Sequence, residues 1–291
     1  MKKNIALVLS GGAARGLAHI GVIEELEAQG YDIRSVAGNS MGAFVGAMYA
    51  MGKLKEFKEW ALTFDKTDLL KLVDLSFGSA GLIKGDKLFK KMKSFLPDRN
   101  IEELDIPYVA VAADIKNMKE VILDKGDLFE AVRASIAIPT IFTPVKKEGM
   151  LLVDGGVVNP VPINRVKRFP GDILVASFVN AHIPYKRPAV RKKEEKIKRA
   201  EHDKRILEIK NKLNKKIFKH GKEKINFFNL LYKSTALMTM TLSVMTIEKY
   251  QPDLLVSVSH DAAGNFEFYK VRELIEAGRE AAKKSIESIT G

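Results

Sequence analysis

The sequence predicts an α/β fold, a mostly parallel central sheet with helices on both faces. Three observations carry this. Short apolar runs that read as strands alternate with segments of helical periodicity along much of the 291 residues, the pattern that builds a parallel sheet from βα units. Two of the strand-to-helix junctions, residues 10–16 and 38–42, are rich in glycine. Hydrophobic residues make up 46% of the chain, ample for a core at a length that suits one or two domains. The expected strands are 4–9, 33–38, 107–114, 120–124, 150–154, 172–179 and 253–259, and the expected helices 14–29, 41–51, 53–63, 85–95 and 127–135.

The first strand, Ile5-Ala6-Leu7-Val8-Leu9, opens into Ser10-Gly11-Gly12-Ala13-Ala14-Arg15-Gly16, after which Leu17, Ile20, Ile23 and Leu26 mark a helix. Such a loop presents unpaired backbone N–H groups at a positive helix end. It could hold a dinucleotide pyrophosphate, a nucleotide phosphate or the oxyanion of an acyl-transfer intermediate. The dinucleotide fingerprint wants a different glycine spacing and an acidic residue ending the next strand, where Ser40 stands instead. A P-loop needs Lys-Ser/Thr after its last glycine, and Leu17-Ala18 follows here. The oxyanion reading is the strongest of the three. The apolar run after Lys2-Lys3 is too short for a signal-peptide core.

The second strand ends in Gly38-Asn39-Ser40-Met41-Gly42, a G-x-S-x-G elbow that leads into a helix with Ala43, Gly46, Ala47 and Ala50 on one face. A serine nucleophile needs this setting: a sharp turn that lifts the hydroxyl clear of the backbone, over a helix N-terminus. An ordinary glycine-bounded turn is the alternative. Further on, Met150-Leu151-Leu152-Val153-Asp154-Gly155-Gly156 is an apolar strand ending in an aspartate and two glycines. Asp154 either projects into a site above the sheet or caps a turn, the commoner use of Asp-Gly.

Together these three elements resemble the patatin-like phospholipase family, which carries a glycine-rich oxyanion loop, a G-x-S-x-G nucleophile and a D-G-[GA] motif in that order. Gly16-Leu17-Ala18-His19-Ile20-Gly21-Val22, Ala134-Ser135-Ile136-Ala137-Ile138-Pro139 and residues 274–282 are similar to it as well. The resemblance spans residues 4–180 and 250–285 and implies a Ser–Asp dyad. Ser40 would be the nucleophile, Asp154 the general base, and the backbone of Gly11, Gly12, Ala13 and Ala14 the oxyanion hole. Arg15, Gly16, Gly38, Gly42, Gly155 and Gly156 would support them, with Arg15 either bracing the loop or lying on the surface. Ala13 departs from the family's glycine, a change expected to matter little provided its φ stays negative.

The implied activity is a serine esterase acting on lipid acyl esters of the phospholipid or lysophospholipid class, without a cofactor. An acyltransferase using the same acyl-enzyme, or a non-catalytic membrane-associated regulator, are the alternatives. A dyad makes the five histidines dispensable. The rival is a Ser-Asp-His triad in chain order, which Ser40, Asp154 and His260 could satisfy. His19 is expected to pack or hydrogen-bond on the first helix.

The chain has no cysteine and no His/Asp/Glu cluster at metal-ligand spacing, so neither disulfides nor a metal are expected. Charge is uneven: residues 186–224 hold 17 Lys/Arg against 6 Asp/Glu, almost all of the net +12. Within them Ile206, Ile209, Leu213 and Ile217 recur at helical spacing, a basic amphipathic helix. Residues 186–249 therefore read as a basic helical insertion or lid within a catalytic domain of 1–185 and 250–291. Residues 186–232 could touch an anionic membrane peripherally; a nucleic-acid partner is disfavoured because no aromatic platform accompanies the charge. Residues 237–247 are apolar but too short to span a bilayer. A cytoplasmic, peripherally membrane-associated protein is expected.

Overall fold

The structure is a computed structural model that describes residues 3–65, 81–83, 86–96, 98–188 and 227–290. In chain order its main elements are β1 (Lys3–Leu9), α1 (Ala18–Ala28), β2 (Tyr31–Asn39), α2 (Met41–Ala50), α3 (Leu54–Ala61), β3 (Gly81–Ile83) and α4 (Asp86–Lys93). There follow β4 (Tyr108–Asp114), β5 (Lys119–Leu123), α5 (Leu128–Ser135), β6 (Thr140–Phe142), β7 (Val145–Lys147), β8 (Met150–Asp154) and β9 (Ile173–Ala181). The chain closes with α6 (Phe227–Tyr250), β10 (Leu254–Ser259) and α7 (Val271–Thr290).

Eight strands form one mixed sheet in the order β10-β9-β1-β2-β4-β8-β7, with β5 also on β4. The five from β10 to β4 are parallel, while β5, β7 and β8 pair antiparallel to their neighbours. The central strand β1 is buried on both faces, Ile5 to Leu9 having no exposed surface, and so its sequence is a continuous apolar run rather than an alternation. Ile5, Leu7 and Leu9 point to the larger core, with α1, α2 and α7. Ala6 and Val8 point to a smaller one, with Val161, Ile163, Leu174 and, from α6, Met240 and Ile247. Helices thus lie on both faces, as expected. The contact of α1 with α7 is close: a Cβ at Gly278 would stand 1.9 Å from the Ala18 carbonyl oxygen.

The register of β4 places the two ends that matter. One edge of β4 is taken along residues 110–114 by β5. Its other edge is shared: β2 pairs with it up to Asn39 opposite Val111, and β8 takes over with Asp154 opposite Ala112. The C-terminal ends of β2 and β8 therefore meet head to head on one edge of β4.

Three expectations change. The helix expected at 14–29 opens as a 3-10 turn, Ala13–Leu17, and becomes α-helical only at Ala18, because Ala13 takes a left-handed φ of 48°. The 237–247 stretch, judged too short to span a bilayer, belongs to a longer helix. Residues Leu230–Tyr250 of α6 are 21 residues long and, by length and composition alone, apolar enough to cross a membrane. Periodicity missed this because threonines and serines interrupt the run, and inside a helix their hydroxyls bond back to its own carbonyls. The Thr235 hydroxyl donates to Leu231 O and the Ser243 hydroxyl to Thr239 O. Third, the short parallel pair β3–β6 was not expected. The amphipathic helix read within 186–224 lies, from residue 189 on, outside the described residues.

Candidate active site

Ser40 follows the last residue of β2 and caps α2 with φ 53° and ψ −124°, a left-handed conformation that a β-carbon resists. The surroundings hold it there. Its N–H donates to Ser135 Oγ (2.9 Å) and its carbonyl accepts from Phe44 N (3.1 Å). Gly42, two residues on, passes so near β1 that a Cβ would come within 2.3 Å of Leu9 O and 2.5 Å of Ser10 O. The elbow thus demands glycine at that point for space, and the glycine-rich loop leaves β1 beside it. Gly38 is the last but one residue of β2, where a Cβ would meet the backbone of Gly42 and Ala43 at 2.6 Å, and Gly16 lies in the 3-10 turn against Met41.

Asp154 ends β8 beside Asn39, and both it and Ser40 are buried (6% and 5% exposed) while lining one cavity. One carboxylate oxygen, Oδ1, accepts from Gly156 N (2.8 Å) and Asn39 Nδ2 (3.3 Å), and Asp154 N donates to Ala137 O (2.9 Å). Asp154 therefore does cap the short turn Gly155–Val157, and it faces the cavity as well; the two readings of Asp-Gly are both satisfied. Burial pushes its carboxyl up to about 6, and hydrogen bonds from the Ser40 hydroxyl, Gly156 N–H and the Asn39 amide hold it from rising further. A carboxyl group poised there is still ionised at neutral pH and much more basic than an exposed aspartate.

The glycine-rich loop is only partly free. Gly11 N donates to Pro160 O (3.0 Å) and Ala14 N to Asn265 O (3.2 Å). Of the four N–H groups expected to serve an oxyanion, those of Gly12 and Ala13 remain without a partner among the described residues, and both residues line the cavity. The expectation for Ala13 is corrected too: its φ is positive, so the replacement of the family's glycine carries strain.

Behind the loop His19 is wholly buried, with Nε2 2.9 Å from Ser10 O and Nδ1 2.9 Å from Ser177 Oγ. A carbonyl can only accept, so Nε2 carries the proton and the Ser177 hydroxyl donates to Nδ1. Burial lowers the His19 pKa to about 4, which leaves it neutral, a structural pin as expected. Arg15 is buried rather than on the surface. Its Nε donates to Asn180 Oδ1 (2.8 Å) and its Nη1 to Ala263 O (2.7 Å). The rival third member of a triad, His260, pairs with Asp261 (3.5 Å) and stacks on His182; no hydrogen bond joins it to Ser40 or Asp154 among the described residues.

The cavity is about 310 Å³. Its floor is Gly12, Ser40 and Asp154, and α6 roofs it with Tyr232, Thr235, Ala236, Thr239, Met240 and Ser243, one face of the helix. Thr239 Oγ1 donates to Gly156 O (3.1 Å), tying the roof to the floor. The sequence reading missed Asn39, Ser135 and Asn180, and within the insertion or lid it read at 186–249 it did not say which residues line the site. Asn39 and Ser135 lie inside stretches it singled out, whereas nothing local marks Asn180.

Comparison with known proteins agrees with this architecture. The patatin-like phospholipase family matches residues 7–166. An uncharacterized NTE family protein of Mycobacterium tuberculosis is 42% identical over 176 residues, 60% of this chain and 49% of the relative. Human patatin-like phospholipase domain-containing protein 6 is 33% identical over 184 residues, 61% of this chain and 13% of the relative. The chain thus spans about half the length of the mycobacterial relatives it matches. VipD from Legionella pneumophila aligns over 99% of this chain and 67% of its own, with 13% identity and a TM-score of 0.49. The family match covers more than half of the chain and contains the glycine loop, the serine elbow and Asp154: the chain belongs to the patatin-like phospholipase family.

Proposed function

We propose that this chain is a serine acyl hydrolase acting on lipid esters of the phospholipid or lysophospholipid class. The observation that carries this is the meeting of Ser40, on its left-handed elbow, with a buried Asp154 whose carboxyl sits near 6. In the proposed cycle Ser40 Oγ attacks the ester carbonyl while its proton passes to Asp154. The N–H groups of Gly12 and Ala13 receive the charge that develops on the carbonyl oxygen. Collapse breaks the ester C–O bond, and Asp154 returns the proton to the departing alcohol. Water then attacks the acyl-enzyme, giving its proton to Asp154, and the fatty acid leaves as Ser40 recovers that proton. A lone carboxylate suits esters better than amides, whose leaving group needs a stronger proton donor.

The lipid class rests on family membership together with the cavity's roof. α6 exposes Leu230, Leu231, Leu237, Met238 and Met245 to solvent, and the basic stretch precedes it in sequence. Peripheral contact of residues 186–232 with an anionic membrane belongs to the same proposal, with charge drawing the protein in and apolar side chains holding it.

The test is hydrolysis of p-nitrophenyl esters of increasing chain length by wild type, Ser40→Ala and Asp154→Asn, with and without anionic liposomes. Activity should rise with chain length and vanish in both variants. Undiminished turnover by Ser40→Ala would sink the mechanism.

A further inference from the structure

The cavity has a second, electropositive end that the dyad does not use. Arg15 lines it, 5% exposed, held by neutral oxygen atoms of Asn180 and Ala263. Among the described residues no carboxylate lies within ion-pairing distance of its guanidinium. A buried charge normally has a partner, since desolvation without one is expensive. Arginine stays cationic even so.

Two imidazoles line the same end. The rings of His182 and His260 stack with centroids 5.5 Å apart and planes inclined by 30°. Asp261 lies 3.5 Å from His260 Nδ1, and with its side chain 76% exposed it is well screened. Asn265 lines the cavity here too. Its side-chain N–H donates to the Tyr232 hydroxyl. Among the described residues only the exposed Asp261 brings negative charge to bear on Arg15 and His260 from a carboxylate, and it forms no ion pair with the guanidinium.

We propose that His182 and His260, backed by the fixed charge of Arg15, form a phosphate-binding subsite that seats the phosphate of an acyl glycerophosphate while its ester reaches Ser40. Arg15 stands two residues beyond Ala13 in the same 3-10 turn, so the subsite and the proposed oxyanion donors share one rigid element. The glycerol unit of such a lipid likewise sets ester and phosphate only a few bonds apart. A phosphate oxyanion provides the missing counter-charge and accepts several N–H bonds at once. This inference rests on the acyl-hydrolase reading for its substrate, while the subsite itself is testable without turnover.

The experiment compares kcat/KM for a 1-acyl glycerol 3-phosphate and a 1-acyl glycerol of the same chain, in wild type and in the His182→Gln/His260→Gln double variant. Wild type should prefer the phosphate-bearing lipid, and the double variant should lose that preference by tenfold or more. In parallel, binding of inorganic phosphate is measured by calorimetry in Ser40→Ala, with and without the two glutamines. Weaker phosphate binding alongside an unchanged lipid preference would support the subsite and assign it to free phosphate. Loss of lipid preference without phosphate binding would support the lipid head group as occupant. An unchanged preference together with no phosphate affinity would overturn the proposal. Both histidines are exposed enough for the glutamines to leave the core intact, which circular dichroism checks. Full esterase activity in Ser40→Ala would defeat the dyad and leave the calorimetric result standing.

Discussion

At Asp154 the demands of stability and of the proposed chemistry oppose each other. Its folded pKa of about 6 lies above the ordinary 3.8, so the folded state holds the proton more tightly than the unfolded chain. The resulting stabilisation is complete below the unfolded value and is lost as pH rises through about 6. Above that, the buried carboxylate leaves the fold roughly 3 kcal/mol less stable than the protonated group does. Asp154→Asn should therefore abolish ester hydrolysis while raising the melting temperature at pH 8, and a lowered melting temperature there would contradict this account. For wild type, kcat/KM should climb with pH to a plateau with a midpoint near 6, as measured on a soluble ester. Ala13 makes a second case. A left-handed alanine costs about 1–2 kcal/mol, partly offset by the entropy that glycine would lose on folding. Ala13→Gly should raise stability by up to about 1 kcal/mol, read from urea unfolding.

At the scale of elements, the sheet's parallel half and its antiparallel half divide the work. β1 and β2 deliver the glycine loop and the elbow as strand-to-helix turns, while β8 runs against β4 and brings Asp154 in from the opposite direction. The α1–α7 contact braces the helix that follows the glycine loop. A methyl group at Gly278 would meet the Ala18 carbonyl oxygen at 1.9 Å, and forcing helices apart in a packed core costs typically 1–3 kcal/mol. Gly278→Ala should lower stability by about that amount. Full retention of the wild-type urea midpoint would show that the two helices separate freely.

For the whole molecule, the basic stretch and the helix with exposed apolar side chains are neighbours in the sequence. Nearly all of the net +12 lies in residues 186–224, and the helix that follows keeps large apolar side chains in solvent. Co-sedimentation with anionic vesicles should be strong at low salt and should weaken as ionic strength shortens the range of the attraction. Neutral vesicles should retain much less protein. Equal binding to both would remove charge from the account and leave the apolar helix alone.

The fold class, the seven principal strands and the places of the glycine loop, the serine elbow and the aspartate were all legible in the sequence. Each of these is a local demand: a strand buried on both faces needs an unbroken apolar run, and a sharp turn beside another backbone needs glycine. Such demands are written where they act. Tertiary structure alone decided that β2 and β8 share one edge of β4, so that Ser40 and Asp154 meet although 114 residues apart in the chain. It alone decided that Gly11 and Ala14 give their N–H groups to Pro160 and Asn265, that Arg15 is buried against neutral oxygen atoms, and which face of α6 lines the cavity. These depend on pairing register and on contacts between distant segments, where any of many residues can supply a carbonyl or an apolar surface, and so no local pattern announces them.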